Sequence, residues 1–162
     1  MSNEDAHMVD LDTPVNKILV ESLQQTYADR LGVFFDARVV RRVKDCIVDK
    51  VKQGVVEDGL VYRDLVRAAG VPSWMGHQEV LGAVLALVSL QSYEEDYILL
   101  SSLTRQTTNQ LPPTKEFCEL LENLGLVRSR KAQAECLEVW DYHWKKAISQ
   151  VELRVLRAKR SL

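Results

Sequence analysis

The sequence predicts a mostly helical α+β protein, on three observations. Apolar residues recur three and four apart through most of the chain, as on one face of a helix. Glycine or proline interrupts each such run near Gly32, Gly54, Gly70–Pro72, Pro112–Pro113 and Gly125. Only one stretch, Tyr97 to Leu103, combines a short apolar run with a following turn in the manner of a strand. At 162 residues and 46% hydrophobic content the chain can build its own core.

Four regions follow in order. Residues 1–12 lack apolar periodicity and read as a disordered tail. Residues 13–56 read as a helical pair. Thr13 and Pro14 supply an N-cap and first-turn proline for a helix to about Arg30, with Val15, Ile18, Leu19, Leu23 and Tyr27 on its apolar face. A second helix opens near Asp36 and buries Val39, Val40, Val43, Ile47 and Val51, with arginines interleaved.

Residues 57–127 form the predicted core. Asp58-Gly59 is a turn, Leu60 and Val61 are extended, and a brief helix carries Leu65, Val66 and Ala69 to Gly70. From Ser73 to about Ser92, Val80, Leu81, Val84, Leu85 and Val88 mark the central buried helix, with Gly82 admitting a close neighbour. The acidic Glu94, Glu95 and Asp96 read as a solvated loop after it. The strand over Tyr97–Leu103 comes next, then a polar loop closed by two prolines, and Thr114 caps a helix through Phe117, Leu120 and Leu121. Residues 128–162 hold a long helix from about Ala132 to Lys159. Its Leu137, Trp140, Trp144, Ile148, Val151 and Val155 approach a heptad seam that packs on the core or on a partner.

Composition narrows the functions. Net charge is −2, against a protein that coats nucleic acid by charge alone, although the termini have opposite signs. Cys46, Cys118 and Cys136 are widely spaced with no CxxC pair, which points to a reducing cytoplasm. No apolar run approaches the roughly 20 residues that cross a bilayer, so no membrane partner is expected. His7, His77 and His143 stand apart, giving no metal-ligating spacing, and no nucleotide, dinucleotide or nucleophile-elbow motif occurs. Neither a metal nor another cofactor is expected. His77 reads as a helix-start residue and His143 as lying on the solvated side of the last helix. Cys118 reads as a small buried hydrophobe.

The order of elements, with Tyr62 and Leu65, Leu81-Gly82, Leu100–Leu103, Pro112, Phe117, and Tyr142 with Trp144, resembles the winged-helix domain of alkyltransferase-like DNA repair proteins. It also resembles a group of small uncharacterised bacterial proteins. The resemblance covers about 85 residues and implies a winged-helix-like centre between the N-terminal helices and the long C-terminal one. The repair enzymes carry a reactive thiol in a Pro-Cys-His-Arg strand, whereas this segment reads LLSSLTR, with Ser101 and Ser102 at that place. A serine needs an adjacent base to act as a nucleophile. The resemblance therefore implies a non-catalytic module.

Two ligands compete for such a module. Duplex DNA would be held by Arg63, Arg67, Arg105, Arg128, Arg130 and Lys131, with Asn109 on the polar loop, since cations neutralise phosphates and polar side chains reach bases. A protein partner, or a second copy in a homodimer, would be met by Trp140, Trp144, Val151 and Val155. An enzyme acting on a small substrate through Ser101, Ser102 or the acidic trio ranks third.

Overall fold

The computed structural model describes residues 17–32, 36–54, 59–71, 78–105 and 113–160, the last ten of these by backbone alone. The expected Thr13-Pro14 start of the first helix, His77, and the polar loop with Asn109 and Pro112 lie outside them.

Helix α1 runs Lys17–Leu31 and stops at Gly32, whose φ of 55° suits a residue without a Cβ. Helix α2 is Ala37–Lys52; the Asp36 side chain accepts the Arg38 N–H as its N-cap, and Val40, Val43, Ile47 and Val51 are buried. Strand β1 is only Leu60–Val61 and passes directly into α3, Tyr62–Ala69, which ends on left-handed Gly70. Helix α4, Gln78–Asp96, is the centre of the molecule, with every residue from 81 to 90 buried. Helices α1 and α2 both pack against it.

A 3₁₀ turn over Leu100–Leu103 leads into strand β2, Thr104–Arg105, which pairs parallel with β1 so that Leu60 faces Thr104 and Val61 faces Arg105. Thr114 then caps helix α5, Lys115–Asn123, by accepting the Phe117 N–H at 3.1 Å. Helix α6, Gln133–Arg160, closes the described chain; at 1.5 Å per residue its 28 residues extend about 42 Å. One apolar core runs from Val20 of α1 to Ala147 of α6. Among the described residues the fold is mostly α, with a single two-stranded parallel sheet.

Four expectations need correction. Ile18, expected on the apolar face of α1, is 75% exposed, and Val20 is buried instead. The strand expected over Tyr97–Leu103 is instead an irregular turn and the 3₁₀ segment, and pairing begins only at Thr104. Serines explain how the backbone does without a ladder there. Ser92 Oγ donates to the Ile98 carbonyl at 2.6 Å, Ser89 Oγ accepts the Ser101 N–H at 2.9 Å, and Thr104 Oγ1 donates to the Ser101 carbonyl at 2.7 Å. The acidic trio is not a loop: α4 continues through it, and Lys44 of α2 meets Glu95 at 2.9 Å. His143 is fully buried rather than solvated, because it shares the inward face of α6 with Cys136, Val139 and Ala147.

Candidate functional site

Helix α3 turns Tyr62, Leu65 and Val66 into the core, which by helical geometry sends Arg63 and Arg67 outward, one turn apart. Arg63 is 82% exposed, and its only carboxylate neighbour within ion-pair range among the described residues is Asp64, at 3.9 Å. The β1–β2 register places Arg105 level with Val61, two residues before Arg63, so three of the predicted cations belong to one end of the fold. Arg105 is the least free of these. Its Cγ and Cδ lie close to Gly59, and its buried Nε has no hydrogen-bond partner among the described residues.

The other predicted cations lie in the α5–α6 connection. Arg130 meets Glu122 at 2.7 Å and Glu119 at 3.4 Å, and Arg30 of α1 reaches the same Glu119. This network ties α1, α5 and the connection together. The Arg130 guanidinium holds the Glu122 carboxyl below its ordinary range, chiefly by hydrogen bonding. Arg128 donates its backbone N–H to Glu135 and is exposed, as is Lys131. The seven-residue set is therefore split between two places, the α3–β2 end and the α5–α6 connection, with Asn109 outside the described residues.

Ser101 and Ser102 are buried within the 3₁₀ turn, where the Ser89 hydroxyl of α4 lies 2.6 Å from that of Ser101. The turn's backbone is held by Ser89 and Ser92 of α4, and among the described residues the Ser101 hydroxyl reaches only that of Ser89. His143 Nδ1 accepts the Leu99 N–H at 3.1 Å, a link absent from the sequence-based expectations. The 136, 139, 143, 147 spacing could have signalled it. Also unforeseen is the junction of α3 and α5, where the buried Tyr62 hydroxyl bonds to Thr114. Burial first, and then the Glu116 charge, push the Tyr62 phenol upward. Cys118 and Cys136 meet between α5 and α6, and burial pushes the Cys118 thiol up to about 12. No group of three His, Cys, Asp or Glu able to hold a metal occurs among the described residues.

An open cleft of about 590 Å³ separates α1, α2 and the end of α4, lined by Gln24, Arg38, Arg41, Lys44, Glu94 and Glu95 among others. Within it Lys44 and Glu95 pair at 2.9 Å.

The second candidate is α6. Its buried residues lie along one face, while the Leu137–Trp140–Trp144–Ile148 stripe lies along the edge of that face. Leu137 is 46% exposed, Trp140 and Trp144 are half-buried, and their rings lie tilted by 35° with centroids 5.2 Å apart. Val151 and Val155 continue the stripe in sequence; their side chains lie outside the described residues. No protein-family model matches the chain, and neither does any characterised protein or solved structure.

Proposed function

We propose that the protein is a non-catalytic binding module of winged-helix-like kind that holds duplex DNA across the outer face of α3 and the adjoining β2. The observation that carries this reading is the outward placement of Arg63 and Arg67 on a helix that springs directly from the strand paired with Arg105. A helix whose polar face carries cations one turn apart can follow a phosphate backbone, and released counterions supply the driving force. Asp64 between them subtracts charge, and the whole chain is acidic, so the grip is weak per copy. Retardation of random duplex at rising salt tests it. The logarithm of affinity should fall with that of salt at a slope of roughly −2 to −3, and Arg63→Ala with Arg67→Ala should flatten the slope. No retardation at low salt, or a slope unmoved by the double variant, rejects the reading.

A second reading, association with another polypeptide through α6, is favoured by the exposed Leu137 beside the contacting rings of Trp140 and Trp144.

A further inference from the structure

We propose that α6 pairs antiparallel with α6 of a second copy, centred on Ile148, to form a two-fold dimer. The inference rests on the second reading, that α6 binds a polypeptide, and names which one.

The helix is complementary to itself. Its first half carries Glu135, Glu138 and Asp141 with no Lys or Arg before Lys145, whereas its last seven residues carry Arg154, Arg157, Lys159 and Arg160. Parallel pairing in register would bring the basic ends together and set Glu138 beside Glu138. Antiparallel pairing sets acidic halves against basic halves.

The helical phase makes the match specific. At about 100° per residue, Leu137, Trp140, Trp144, Ile148, Val151 and Val155 fall on one narrow stripe, while Glu138, Lys145, Glu152 and Lys159 fall along one flank of it. The opposite flank, with Cys136, His143 and Ala147, is buried against the chain's own core. A two-fold axis perpendicular to both helices brings like flanks face to face. With Ile148 opposite itself, Trp144 comes within one residue, about 1.5 Å, of level with Val151 of the second copy, and Trp140 within one residue of Val155. On the free flank Glu138 comes within one residue of level with Lys159, and Lys145 within one residue of Glu152. Each of these contacts occurs twice.

The packing of α6 agrees with this register. Ala147 is the last buried residue among its described side chains, although the helix backbone continues to Arg160. The antiparallel arrangement lays this far half along the exposed edge of the partner's near half, where Leu137 and the tryptophans are only partly covered.

Sedimentation of the full chain over a roughly hundredfold concentration range at micromolar levels tests the proposal. The expected mass rises from 18.5 kDa to twice that value. Leu137→Glu should shift the midpoint to higher concentration. Glu138→Lys should weaken the dimer roughly tenfold, and adding Lys159→Glu should restore it, because two exposed ion pairs are reversed and then re-formed. Unchanged far-ultraviolet circular dichroism confirms that each variant folds. A monomer at every concentration overturns the second copy as occupant and leaves a different polypeptide open, so the two failures remain separable. A dimer indifferent to Leu137→Glu, or a charge reversal not rescued by the second, overturns the α6 interface or its antiparallel register.

Discussion

The imidazole Nδ1 of His143 accepts the backbone N–H of Leu99 at 3.1 Å, joining α6 to the chain just before the 3₁₀ turn. Both residues are fully buried, so this bond satisfies an amide that water cannot reach.

His143→Leu should leave the Leu99 amide unsatisfied and cost about 1–3 kcal/mol of stability, read from the midpoint of urea unfolding. An asparagine at the position offers an acceptor in a smaller volume and should recover part of the loss. Equal losses for leucine and asparagine would mean that ring packing, not the hydrogen bond, sets the cost.

Gly82 lies against α5. A Cβ built there would sit 2.6 Å from Glu116 Cγ and 3.3 Å from its Cβ. Alanine favours a helix by about 1 kcal/mol over glycine, but overpacking costs about 1–3 kcal/mol. The clash should win, so Gly82→Ala lowers the melting temperature. Combining it with Glu116→Ala should destabilise less than the two single losses add up to, a coupling that a double-mutant cycle detects.

How much of this was legible in the sequence depended on how local each signal was. Asp36, Thr114, Gly32, Gly70 and Gly125 act on their own neighbours, and the ends of α1, α2, α3 and α5 follow them closely. Gly82 as a point of close approach was also legible, since an uninterrupted apolar helix has little other use for glycine. The segment after α4 was not. Its apolar run suits any buried backbone, and what selects a 3₁₀ turn over a strand is a pair of serines, Ser89 and Ser92, on a preceding helix. Tyr97, at a φ of 59°, also breaks the extended path. His143 was misplaced because its neighbours Tyr142 and Trp144 drew the helical phase toward the aromatic stripe, while the buried face runs through Cys136, Val139 and Ala147. Of the site residues, Arg63 and Arg67 could be read as outward from the α3 pattern. The engagement of Arg130 by Glu119 and Glu122 depends on tertiary approach and could not.

The Glu122–Arg130 pair sets an acid limit. Glu122 has a folded pKa held below its ordinary value of 4.5, so the stability it contributes is present above that value and is lost as pH falls toward the lower folded one. The melting temperature should decline through this acid window, and Glu122→Gln should make the decline shallower while lowering stability at neutral pH. Parallel pH profiles for the two proteins would contradict the assignment.

Burial and raised pKa make the contacting thiols of Cys118 and Cys136 poor nucleophiles. Cys46 is partly exposed. A chromogenic disulfide reagent should titrate no more than Cys46 in the native protein, and all three thiols after denaturation. Rapid loss of Cys118 in the folded state, located by peptide mapping, would refute this protection.

The parallel contact between Leu60–Val61 and Thr104–Arg105 joins segments separated in the chain by α3, α4 and the 3₁₀ turn. Two residues a side are too few to draw such distant segments together against the entropy of closing the loop. The helices must therefore assemble first, and the sheet fastens behind them like a clasp, reporting that the fold is complete rather than starting it.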